Sequence, residues 1–260
     1  MLTLDPVTSG PLPAADPSLE LEPWRDADGL VCARVFRSGP GFLIHWGATS
    51  LFFFDPTHRT VRAWTLASSS ADATADTFAR RVQPLLLQAS GYLVLHASGA
   101  SAAGRVIAFC GLSGAGKSTL ARELRRHGCQ QWADDAVVID TGTSPARVLA
   151  LPFVHPDDDT RLTAAPGRSA PLGAIAVLAR RKGAPAAGQI ERIADASALA
   201  TVLAHAHVFD PDAAVSLVDQ YATMLDAVPV FRVVFDHAPN GPATLAGAVA
   251  AWMRTVEAAS

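Results

Sequence analysis

The stretch at residues 105–118, RVIAFC followed by GLSGAGKS, constrains this chain more than any other. An apolar segment enters a glycine-rich loop, and LARELRRHG continues from it with helical spacing up to Gly128. Gly111, Gly116, Lys117 and Ser118 satisfy G-x-x-x-x-G-K-[ST], a phosphate-binding loop set between a strand and a helix. Glycines let successive backbone N–H groups turn inward toward phosphate oxygens, and the helix start adds partial positive charge. Ser113, Gly114, Ala115 and Thr119 belong to the same phosphate-facing set. In such loops the lysine reaches the β- and γ-phosphates and the hydroxyl after it ligates Mg²⁺, roles that fall to Lys117 and Ser118. Lysine occurs only at Lys117 and Lys182 among 21 Lys and Arg residues, which makes the position of Lys117 more informative. The alternative, a chance glycine-rich turn, does not account for the strand before it and the helix after it.

Composition narrows the remaining classes. Half of the 260 residues are hydrophobic and 17% are charged, so a sizeable core can be buried. A net charge of -3 argues against nucleic-acid binding through bulk electrostatics. Cys32, Cys110 and Cys129 have neither disulfide nor zinc spacing and fit a reducing compartment. The N-terminus lacks a basic and an apolar signal region, and no apolar run is long enough for a bilayer, so a cytoplasmic protein without a membrane partner is expected.

Residues 1–22 are Pro-rich and aperiodic and read as a flexible arm. Residues 23–90 read as a small antiparallel β region with one helix: LVCARVF, FLIHWG, SLFFFD and TVRAWTL are strands, and 77–88 is helical. The FFF at Phe52 to Phe54 reads as strand core. From residue 91 a second domain begins with YLVLHASGASA and RVIAFC as strands, then the loop and its helix. Further strands are expected at QQWA, AVVID, RVLALPF, LGAIAVLA and VPVFRVVF, with helices over 194–205, 213–225 and 243–258. An α/β fold follows, a mixed sheet flanked by helices.

A phosphate-transferring enzyme needs an acidic group for the metal and a base near its acceptor. Asp134 and Asp135 directly follow QQWA. If that strand lies beside RVIAFC, both carboxylates reach the mouth of the loop, where one can stay on the metal and the other take a proton. An ordinary Asp-Asp turn is the alternative. His96 ends the strand before the loop, as either a site residue or a hydrogen-bonded core histidine.

Taken together, LHASGA, GLSGAGKSTLARELRRHG and WADDAVVID resemble the catalytic core of HPr kinase/phosphorylase and its smaller relatives, over residues 92–140. The resemblance implies a P-loop domain over 91–260 related to phosphoenolpyruvate carboxykinase, and an ATP- and Mg²⁺-dependent serine kinase. By it, Lys117 and Ser118 hold phosphate and metal, Asp134 binds the metal, Asp135 deprotonates the acceptor hydroxyl, and His96 organises the site. It implies a protein or peptide serine as acceptor, such as a ribosomal peptide precursor, and assembly with further copies, since relatives form rings. The chain departs from the bifunctional enzymes at Thr119, where they usually carry Glu, and throughout its first 90 residues. In place of their Pro-Gly-Arg-Asn element stands Ala238-Pro239-Asn240-Gly241. HPr itself and a phosphorylase reaction are therefore not carried over.

Two other functions compete with a serine kinase. A small-molecule kinase would share the loop, though the Asp-Gly-Asp-x-x-Arg of adenylylsulfate kinases is missing and a free amino acid such as serine is the better small acceptor. A nucleotide-regulated binding module would need no base. Arg180, Arg181 and Lys182 follow LGAIAVLA and read as a solvated turn, the alternative being cations that face the phosphates or an anionic substrate. Arg161 and Arg168 fall in a loop over 155–171, the alternative being an acceptor-side lid, and His155 with Asp157 to Asp159 reads as a solvated acidic loop. His205 and His207, two apart at a helix end, point to different faces and are set aside as metal ligands.

Overall fold

A computed structural model of the chain describes residues 2–7, 11–25, 29–153, 162–185, 188–236 and 241–256. His155, Asp157 to Asp159, Arg161 and residues 238–240 lie outside them. The chain forms two units, Met1–Ser90 with Phe209–Asp212, and Gly91–Val208 with Ala213–Ser260.

The first unit is a six-stranded sheet ordered β1 (Thr3–Pro6), β6 (Thr60–Thr65), β5 (Ser50–Asp55), β4 (Gly41–Trp46), β3 (Val31–Ser38) and β2 (Trp24–Arg25). Pairing Phe42 with Phe54 and Ile44 with Phe52 gathers those side chains on one face. Ser70 caps α1 (Ala71–Thr77) by accepting from Ala73 N, so the helical segment starts earlier than its apolar spacing alone predicts. A π-type turn at Phe78–Val82 joins it to α2 (Gln83–Gln88), and Phe78 packs on Phe52. The expected arm is in part structured: Thr3–Pro6 pairs in parallel with β6, and Leu2 and Val7 bury apolar surface that composition-based reading misses.

The second unit is a mixed α/β fold. Its sheet runs β10 (Gln130–Ala133), β8 (Ala97–Ala102), β9 (Arg105–Cys110), β13 (Ser169–Arg180), β15 (Val230–Phe235) and β14 (Gln189–Arg192). From the start of β13 it continues through β12 (Arg147–Leu149) and β11 (Val137–Asp140) to β7 (Leu93–Leu95). β9, β13 and β15 are parallel neighbours, and the other pairings are antiparallel. Strands buried on both faces need an unbroken apolar run, and RVIAFC supplies one. Ile107 and Phe109 pack with α3 (Lys117–Leu124) and α6 (Gly241–Met253), whereas Val106, Ala108 and Cys110 join a core with Val202 of α4 (Asp195–Leu203) and Tyr221 of α5 (Ala214–Leu225). A buried ring such as Phe109 is worth about 3–5 kcal/mol by truncation. Gly128, at φ 77, closes the turn after α3 in the left-handed conformation.

QQWA does not lie beside RVIAFC. It pairs with β8, because the hairpin from Ala97 to Cys110 already occupies that edge of β9. YLVLHASGASA is likewise two strands: it breaks at His96, whose N–H donates to His205 O rather than to a sheet partner. Among the described residues no helix is long and apolar enough to cross a membrane.

Candidate active site

The loop between β9 and α3 lies at the C-terminal end of a parallel strand, where open α/β sheets leave a crevice. Gly114 and Gly116 take φ of 73° and 96°. A Cβ on Gly116 would sit 2.7 Å from Pro242 Cγ, so conformation and space both demand glycine there. Lys117 is almost buried, and its ammonium donates to Gly111 O at 2.9 Å and Leu112 O at 3.3 Å. Burial pulls its pKa below the usual lysine value, against the opposing pull of Cys110, Asp135 and Asp134.

A cavity of about 310 Å³ is lined by Ser113, Gly114, Gly116, Lys117, Ser118 and Thr119, together with His96, Asp135 and Arg180. Of the residues expected at the site, Gly111, Ala115 and Asp134 do not line it. Asp134 is tied to it through Ser98. That fully buried hydroxyl donates to Asp134 Oδ1 at 2.7 Å and lies 3.4 Å from Ser118 Oγ. Asp134 Oδ1 also accepts from Asp135 N at 3.2 Å.

Asp135 adopts φ 63, a left-handed conformation costly for most side chains and better tolerated by Asp. The turn lets the two carboxylates part company. Asp134 points to Ser98, and Asp135 is exposed in the cavity. His96 Nδ1 lies 3.2 Å from the Asp135 carbonyl oxygen, so its Nδ1–H tautomer donates there. Burial, then the charge of Lys117, hold His96 below the usual histidine pKa, which favours the neutral ring.

His207 was not expected here. Helix α4 ends at Leu203, and the chain then runs extended beside β7, with His207 N donating to Val94 O. This sets the His207 ring edge-on to that of His96, 5.9 Å away at 87°. Burial lowers its pKa to about 4. Ser98 escapes sequence reasoning, which leaves Arg180 between a solvated turn and a cation facing the phosphates. Arg180 ends the strand that pairs in parallel with β9, the position from which a side chain reaches the loop. Its neighbours Arg181 and Lys182 are exposed, and Arg168 stacks over Trp132 instead.

The chemistry of the donor set fits a triphosphate with a hard cation. A Ser118 hydroxyl and an Asp134 carboxylate meet at one buried hydroxyl. Among the described residues no three His, Cys, Asp or Glu side chains form a cage, and Mg²⁺ commonly takes only one or two carboxylates beside water and substrate phosphates. A larger cavity of about 510 Å³, lined in part by Thr143, Leu172, Asp219 and Met224, has no cationic lining among the described residues.

No family model and no curated protein matches this chain. Among solved structures it is similar to the Hpr(Ser) kinase/phosphatase from Coxiella burnetii, with a TM-score of 0.35 and 12% identity, over 60% of this chain and 93% of that one. At that score the likeness carries no argument, and function rests on the geometry.

Proposed function

We propose that this chain is an ATP- and Mg²⁺-dependent phosphotransferase of the HPr-kinase-like type, with a phosphoenolpyruvate-carboxykinase-like P-loop core. It moves the γ-phosphate to a hydroxyl, that of a serine in a protein or peptide. One observation carries the reading: a single cavity is lined by the phosphate loop, His96 and Asp135, while Ser98 joins Asp134 to Ser118 at its edge.

In this reading Lys117 and the loop N–H groups hold the phosphates in line with the acceptor. Ser118 and Asp134 hold Mg²⁺, which neutralises charge on the phosphate oxygens when bound. Asp135 takes the acceptor's proton as its oxygen bonds the phosphorus and the bond to the ADP leaving group breaks. His96, held on the Asp135 carbonyl, fixes the turn that presents this carboxylate.

Incubating the purified chain with Mg·ATP and serine-containing peptides, then locating phosphoserine by mass spectrometry, tests the reading. Phosphoserine formed only with active chain supports it. Tight ATP binding with no transfer to peptide, protein or free serine would leave a binding module instead.

A further inference from the structure

Arg180 is the last residue of β13, whose pairing of Val177 with Cys110 carries it past the end of β9 onto the loop side. There it lines the cavity opposite no carboxylate of its own, for no ion pair to Arg180 exists among the described residues. Its Nη2 comes within 3.3 Å of where a Gly116 Cβ would stand, so the missing side chain of that glycine makes room for the guanidinium. The group rests on the Phe235 ring, 5.7 Å from its centroid, which fixes its plane without using its N–H donors. Nε is buried with no hydrogen-bond partner among the described residues.

Such a donor is unfavourable unless something supplies an acceptor. Arginine cannot shed its charge, and its planar fork matches phosphate oxygens. Lys117, the other cation lining the cavity, is already engaged by two loop carbonyls.

From these relations we infer that Arg180 contacts the terminal phosphoryl group of the bound nucleoside triphosphate and stabilises the charge on it during transfer. This rests on the nucleotide-binding reading and goes further, by adding a catalytic residue from a different strand. Arg180 shares the cavity with Asp135 and His96, between which and the loop the phosphoryl group must move.

The test compares Mg·AMPPNP with Mg·ADP binding by calorimetry in the full chain and in Arg180→Gln and Arg180→Lys. Arg180→Gln is expected to lose about tenfold or more in AMPPNP affinity, the size of a charge-assisted hydrogen bond, with ADP affinity changed about twofold at most. Arg180→Lys should recover part of that loss, and if the Gln variant fails to fold it is read alone, by its ratio of AMPPNP to ADP affinity. Equal weakening of both ligands, or no change in either, would overturn the assignment while leaving nucleotide binding intact. A wild-type chain that binds neither ligand would overturn the nucleotide reading and this inference with it.

Discussion

Ser98 Oγ donates to Asp134 Oδ1 at 2.7 Å from a fully buried position, and the same hydroxyl reaches Ser118 Oγ at 3.4 Å. It ties β8 to the carboxylate that follows β10. In the proposed site Ser98 is therefore a positioning residue for the metal ligands. Ser98→Ala should raise the Mg²⁺ concentration needed for half-maximal nucleotide binding by about tenfold, as removal of outer-shell partners does elsewhere. A magnesium titration followed by nucleotide fluorescence checks this. An unchanged midpoint would make Ser98 a purely structural hydroxyl.

Gly116 combines φ 96 with a Cβ position 2.7 Å from Pro242 Cγ. Gly116→Ala should cost about 1–3 kcal/mol of stability from backbone strain, with the clash against α6 added. It should also weaken nucleotide binding, because Arg180 borders the same position. Urea unfolding and calorimetry report the two effects separately. Wild-type values for both would contradict the packing described.

The histidine pair gives a pH dependence with a definite sign. Burial holds His207 at about 4 in the fold, against an ordinary value of 6.5. Between these values the unfolded chain binds the extra proton, so stability present above 6.5 is lost as pH falls toward 4. His96 and His205 are lowered as well, again with burial the first cause, and add in the same direction. His207→Gln should make the fall in Tm between those pH values shallower. An identical slope in wild type and variant would assign the effect to other groups.

Much of this was legible from local pattern. RVIAFC, the loop and α3 follow from apolar run, glycine placement and helical spacing, all encoded within a few residues. The place of Asp134 and Asp135 at the end of a strand is read the same way, although that strand pairs with β8 rather than β9. What stayed hidden depends on distant pairing. A place at a strand end leaves Arg180 between solvent and phosphate until β13 is set parallel to β9. His207 looks like a helix end until Leu95 bridges Ala206. The strand at Thr3–Pro6 carries little apolar signal of its own and exists because β6 leaves an edge for it. The resemblance assigns Asp134 to the metal and Asp135 to the base, but the φ of 63 at Asp135 that turns the two carboxylates apart leaves no mark in the local pattern.

In the proposed function Asp135 is the base of a phosphate transfer and no part of nucleotide binding. Transfer of the labelled γ-phosphate from Mg·ATP should be compared in wild type and Asp135→Asn, with ATP affinity measured on the same samples. Affinity should stay within about threefold of wild type and transfer should fall by about 10²-fold or more, the usual range for loss of a general base. Full transfer activity in Asp135→Asn would contradict it.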